Sequence, residues 1–288
     1  MRRHIGQLPD ASGPGRPHDH SMTTTEPSES FQIPIEAAEA YEATFVPALF
    51  AQWAPILCDA AAIGAGQKVL DVACGTGIVA RTAAERAGAA HVVGVDVNQA
   101  MLTVARRVRG DIDWRQGDVA ALPLADRSFD AVLCQMALMF FPDRIRALRE
   151  MARVATAAGT VAVLVPASLD TQPAYGPFVD MAARHAGREA RSLLNTYFTC
   201  GDLDTLSDQF GQAGLHVTAT GTHRGTARFS SVDALVATEV ESTPLGERIS
   251  AQVYDRIKHG ARQVLTPFTA ADGTLAAPFE VHVIAARR

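Results

Sequence analysis

No stretch of this 288-residue chain approaches the ~20 consecutive apolar residues that a membrane-crossing helix needs, so no helical span is expected. Cysteine is scarce. Cys58, Cys74, Cys134 and Cys200 lie far apart, with no C-x-x-C pair and no Cys/His cluster at metal-ligand spacing. That pattern implies no metal centre and four reduced thiols, with Cys134 buried in an apolar strand pattern. Without a signal peptide, reduced thiols point to the cytoplasm. Basic surplus is also missing: 26 Lys and Arg stand against 31 Asp and Glu, a formal charge of −5, which gives no footing for a nucleic-acid partner. No internal repeat is visible.

What is present suits one sizeable core, since 48% of residues are hydrophobic and 20% charged. Residues 1–30 are rich in Pro, Gly, Ser, Thr and His and are expected to form a disordered tail. Met22 would make a more natural start, and His4, His18 and His20 sit where no geometry is fixed for a metal. Residues 31–288 are expected to form a single domain. Its first part, 31–64, reads as short helices divided at Pro47 and Pro55. A cofactor-binding core follows at 65–166, with strands at 67–72, 91–96, 112–116, 129–135 and 159–165. Helices are expected between them, at 76–87, at 99–108 with Asn98 as cap, and at 142–154 with Pro142 near the first turn. Strands alternating with helical stretches of about 10–15 residues indicate parallel βαβ units. Two helical insertions, 167–200 and 229–279, would cap the substrate side. A helix at 201–213, a strand at 215–222 and a final strand at 280–288 complete the reading.

The run Val69-Leu-Asp-Val-Ala-Cys-Gly-Thr-Gly77 is a buried strand breaking into a glycine turn before a helix. Gly75 and Gly77 allow a sharp turn and close approach to a ligand, and amides at the helix start face that ligand. Gly75 to Ala80 also fits G-x-G-x-x-A, a weak dinucleotide signature by itself. Asp96, at the end of the second strand, can accept both hydroxyls of a ribose. Three features favour an adenosyl amino acid over a dinucleotide. Asp71 stands beside the turn, where a carboxylate repels pyrophosphate but accepts from an ammonium. Gly117-Asp118-Val119 follows the third strand, where an acid can accept from an adenine amine. Helices precede the first strand.

With these motifs in order, residues 67–165 resemble the class I S-adenosylmethionine-dependent methyltransferases, closest to the branch of ubiquinone- and menaquinone-biosynthesis enzymes. The matching residues are Val69–Gly77, Val93–Leu102, Gln116–Leu124, Ser128–Leu133 and Phe141–Asp143. The resemblance implies an α/β, Rossmann-like doubly wound sheet of order 3-2-1-4-5-7-6 with strand seven antiparallel. It implies S-adenosylmethionine as cofactor, with Asp71 and Ala73, Cys74, Gly75 and Gly77 at the methionine part. Asp96 would hold the ribose, Val97 and Met101 would lie against the adenine, and Gly117, Asp118 and Val119 would meet its edge. Cys134, Gln135 and Met136 would line the sulfonium side.

A small, apolar or aromatic acceptor is expected above the strand ends, against Tyr41, Phe45, Met139 and Phe140, with the cofactor's methionine end as the alternative contact of Tyr41. Where many relatives carry histidine before an aromatic, this chain has Met139 before Phe140, so no base is assigned there. His185, His223 and His259 read as surface or packing residues. Trp53 is a further candidate wall. Two rival readings stay open: an NAD(P)-dependent oxidoreductase, and a cofactor-binding sensor or partner domain without catalysis.

Overall fold

A computed structural model describes residues 33–241 and 243–288. The expected tail and the histidines within it lie outside the described residues. The chain opens with α1 (Ile35–Ala40), which runs directly into a π-helical segment, Tyr41–Phe50, and α2 (Ala54–Ala60). There follow β1 (Val69–Val72), α3 (Ile78–Ala87), β2 (Val92–Asp96), α4 (Gln99–Val108), β3 (Asp113–Gln116), β4 (Phe129–Gln135), α5 (Arg144–Val154) and β5 (Ala155–Pro166). The remainder is α6 (Tyr175–Leu194), α7 (Leu203–Gln212), β6 (His216–Phe229), α8 (Val232–Val236), a second π segment at Ala237–Glu241, α9 (Leu245–Arg248), α10 (Ala251–Val264) and β7 (Leu275–Arg287). Seven strands form one sheet of order β3-β2-β1-β4-β5-β7-β6, with β7 antiparallel to both neighbours.

Alternation along the central strands builds two cores. Val69, Leu133 and Leu164 face one core with residues of α2, α3, α6 and α10, and Leu70, Val132 and Val163 face the other with α5 and α7. The edge strands depart from the apolar pattern. β3 reads Asp-Trp-Arg-Gln and β6 carries His, Thr and Arg along an exposed face, which discourages further strand pairing.

Several expected boundaries are corrected. Pro47 does not break the helix. It lies inside the π segment, where Ala51 N–H bonds the Val46 carbonyl, and this wider turn accommodates a ring that would clash in α-geometry. Pro142 precedes α5, whose cap is Asp143, accepting from Arg146 N–H at 2.9 Å. The second insertion is not helical to residue 279, because β7 begins at Leu275. Pro278 is tolerated there because pairing with β5 stops at Pro166–Val281, beyond which β7 pairs only with β6. β6 runs on to Phe229, past the expected end at 222, and so takes in His223.

Candidate functional site

The carboxyl ends of β1, β2 and β4 converge around the glycine turn. At Asp96 the carboxylate joins two of these ends. Its Oδ2 accepts from Gly75 N–H and its Oδ1 from Asn98 N–H, both at 2.8 Å. Gly117 N–H bonds the Asp96 carbonyl at 3.0 Å, tying in the β3 exit. Burial raises the Asp96 carboxyl above its ordinary range, and the N–H groups of Asn98, Gly75 and Val97 hold it back. Asp71 is 1% exposed and accepts from Ala80 N–H at 2.9 Å. Burial pushes it up to about 8, with that N–H opposing and Asp96 adding repulsion. Two buried carboxylates thus flank one turn. Ala73 and Met136, at the exits of β1 and β4, both hold positive φ without being glycine, the kind of local strain that clusters at functional sites.

Tyr41 closes the turn from above. A β-carbon on Gly75, whose φ is +55°, would meet only the Tyr41 ring, at 3.8 Å. Tyr41 stacks on Phe45 and Phe50 with centroids 5.8 and 5.3 Å apart, and Gln135 Nε2 bonds the Phe50 carbonyl at 3.1 Å. Arg81 clamps the turn to the N-terminal helices, donating to the Thr76 carbonyl at 2.6 Å and to Glu42 at 2.8 Å. Glu42 and Arg81 were not singled out from sequence, because nothing local pairs residues 39 positions apart.

Other expected residues take different places. Gly77 gives room to the Trp114 ring, from which a β-carbon there would lie 2.2 Å. Gly117 likewise makes space for Pro123. Cys134 is fully buried in the α5 and α7 core, and burial drives its thiol pKa up, so Gln135 and Met136 line the β4 exit instead. Met139 is core on the same face, whereas Phe140 is half-buried and meets Tyr197 edge-on at 5.3 Å. Asp118 is exposed and accepts from Ala120 N–H, capping a short 3₁₀ turn. Val97 is exposed beside Asp96, and Met101 and Val119 are half-buried. Cys74 is buried, and all four cysteines are free.

Four buried side-chain atoms among the described residues lack a hydrogen-bond partner: Glu42 Oε2, Trp53 Nε1, Thr76 Oγ1 and Gln135 Oε1. Unmade bonds of this kind are costly unless a ligand completes them. The Glu42 and Gln135 oxygens only accept, as do Asp71 and Asp96 when ionised. The site therefore suits a ligand that donates hydrogen bonds, such as an ammonium with sugar hydroxyls, and opposes a pyrophosphate.

Residues 70–163 match the methyltransferase domain family. A demethylmenaquinone methyltransferase of Renibacterium salmoninarum is 36% identical over 144 residues, covering 50% of this chain and 58% of that enzyme. The match thus spans little more than half the length of that curated relative. Among solved structures, the YcgJ protein of Bacillus subtilis aligns with TM-score 0.54 and 20% identity over 82% of this chain and 98% of its own. Phosphoethanolamine N-methyltransferase 2 of Haemonchus contortus, in complex with phosphomonomethylethanolamine and S-adenosylhomocysteine, aligns with TM-score 0.54 and 19% identity over 88% and 57%. These two likenesses bear on the fold.

Proposed function

We propose, from the premise that this chain carries a class I S-adenosylmethionine-dependent methyltransferase domain, that it transfers a methyl group from S-adenosylmethionine to a small aromatic or apolar acceptor. The observation carrying the reading is the turn itself: Asp96 bonded to Gly75, roofed by Tyr41, beside acceptor oxygens that await donors. Asp96 would take the ribose hydroxyls. Glu42 and Gln135 join Asp71 as candidates for the ammonium end. Asp118, exposed and turned to Ala120, would meet the adenine edge only at the rim.

When bound, the cofactor supplies an already activated methyl on a sulfonium. The protein's work is then alignment and exclusion of water. Tyr41, Phe45 and Phe140 provide apolar walls for both. The demethylmenaquinone enzymes among the relatives make quinol-like aromatics one acceptor class to try. The free cysteines suit a cytoplasmic setting, and no single helix among the described residues is long and apolar enough to cross a membrane.

Calorimetry tests the reading. S-adenosylhomocysteine should bind and NAD(P) should not. Asp96→Ala should weaken the binding by ~1.5–3 kcal/mol, the scale of hydrogen bonds to a charged group. NAD(P) binding without S-adenosylhomocysteine binding would overturn it in favour of the oxidoreductase.

A further inference from the structure

Among the side chains of the insertions is a carboxylate that no sequence motif marks. Glu239 lies on the second π-helical segment, a geometry frequent at functional sites. Its Oε1 accepts from the Tyr175 hydroxyl at 3.2 Å. Among the described residues it forms no ion pair, and no cation acts on its titration. The titratable groups facing it are Tyr175, from α6, and Tyr197, from the 3₁₀ turn Thr196–Phe198. Tyr197 is near enough to Tyr41 to influence its phenol, Glu239 acts in turn on Tyr197, and the Tyr41 ring lies against Gly75 of the glycine turn. Glu239, Tyr197, Tyr41 and Phe140 are each half-buried, and Phe140 meets the Tyr197 ring edge-on at 5.3 Å.

A buried carboxylate without a cation is expensive to keep. Packing does not require it, since a neutral side chain of the same shape would fill the space. Glu239 therefore makes sense as a group that meets a ligand. Building on the methyltransferase reading above, we propose that Glu239 is the general base of this site and that the acceptor is a hydroxylated aromatic ring held among Tyr197, Phe140 and Tyr41. The Tyr175 contact already shows that the carboxylate accommodates a phenolic donor. In the step, the acceptor O–H bond breaks and its proton passes to Glu239. The oxygen's freed pair forms the new O–CH₃ bond. The S–CH₃ bond of the sulfonium donor breaks, its electron pair staying on sulfur as a thioether, and Glu239 returns the proton to water. Burial, opposed by the Tyr175 hydrogen bond, moves the Glu239 carboxyl up to about 7, where a base works well at neutral pH.

The test uses the full chain. S-adenosylhomocysteine calorimetry comes first, and its failure counts against the methyltransferase reading itself. With binding established, methyl-labelled S-adenosylmethionine is offered with phenol, catechol, 1-naphthol and 1,4-dihydroxynaphthalene, each beside its amine counterpart. O-methylated products are expected, with kcat rising as pH increases through about 7. Glu239→Gln should lower kcat by ~10²–10⁴ and abolish that limb. It should also weaken 4-nitrophenol binding to the S-adenosylhomocysteine-saturated protein about tenfold, while S-adenosylhomocysteine affinity is kept. Glu239→Asp should recover part of the rate. Methylation of amines alone, no phenol turned over, a flat wild-type pH profile, or an unimpaired Glu239→Gln would each overturn the proposal. The wild-type profile decides even if the variant fails to fold.

Discussion

Asp71 sits where its charge is least welcome, sealed under the turn with Asp96 nearby. Burial raises its folded carboxyl to about 8, whereas the unfolded chain holds it near the ordinary value of 3.8. Between those values the folded state binds the extra proton, so stability falls as pH rises through that window and levels off above it. Asp71→Asn keeps an oxygen for Ala80 N–H and removes the titration. Urea melts of the ligand-free proteins should therefore show wild type losing ground to Asp71→Asn steadily from pH 5 to pH 8. A constant difference across that range would mean that Asp71 is ionised throughout and held by a partner. The same reasoning separates Asp71 from Asp118, which the sequence treats alike. Burial is a property of the folded chain, so an acid sealed beneath the turn and one left exposed cannot be told apart by spacing.

At the scale of elements, the N-terminal cofactor half is keyed by one indole. Trp114 of β3 lies over both Gly77 and Gly94, and a β-carbon on Gly94 would stand 2.4 Å from its ring and 3.1 Å from Cys74 Sγ. Gly94→Ala should cost ~1–3 kcal/mol, the scale of core overpacking. Trp114→Leu should recover much of that loss in the double variant, read from urea melts. Strictly additive penalties would show that the ring does not rest there. This packing also explains what could be read in advance. Asn98 was recognisable as the cap of α4 because capping is local, and it accepts from Ala100 and Met101 N–H. The parallel βα units followed from alternation, and the order of strands from the family likeness alone. Trp114, Glu42 and Glu239 escaped because their partners are distant in sequence. Both π segments escaped because a helical pattern does not announce its register. Tyr41 and Phe45 were singled out from the sequence, and Tyr41 lies against the glycine turn at Gly75.

Across the whole molecule, chain order binds the cap to the sheet. After β5 the chain builds α6 and α7, runs out along the sheet edge as β6, leaves again for α8 to α10, and returns as β7, wedged between β5 and β6. Phe279 of β7 then packs against Tyr175 and Phe198 of the first insertion and against Trp53. Trp53 and Trp114 belong to the same apolar core, although one stands under the cap and the other under the cofactor turn. A cap tied through a strand paired on both sides cannot open without breaking the sheet, so both halves should unfold in one transition. The chain has two tryptophans, which makes this directly measurable. In Trp53→Phe the remaining fluorescence reports the cofactor half, and in Trp114→Phe it reports the cap side. Each fluorescence curve in urea should superimpose on the far-UV circular dichroism of the same variant. S-adenosylhomocysteine at one hundred times its Kd should raise stability by about 2.7 kcal/mol in each, seen equally by both probes. If Trp53 fluorescence changed before the circular dichroism, the cap would be an independent unit.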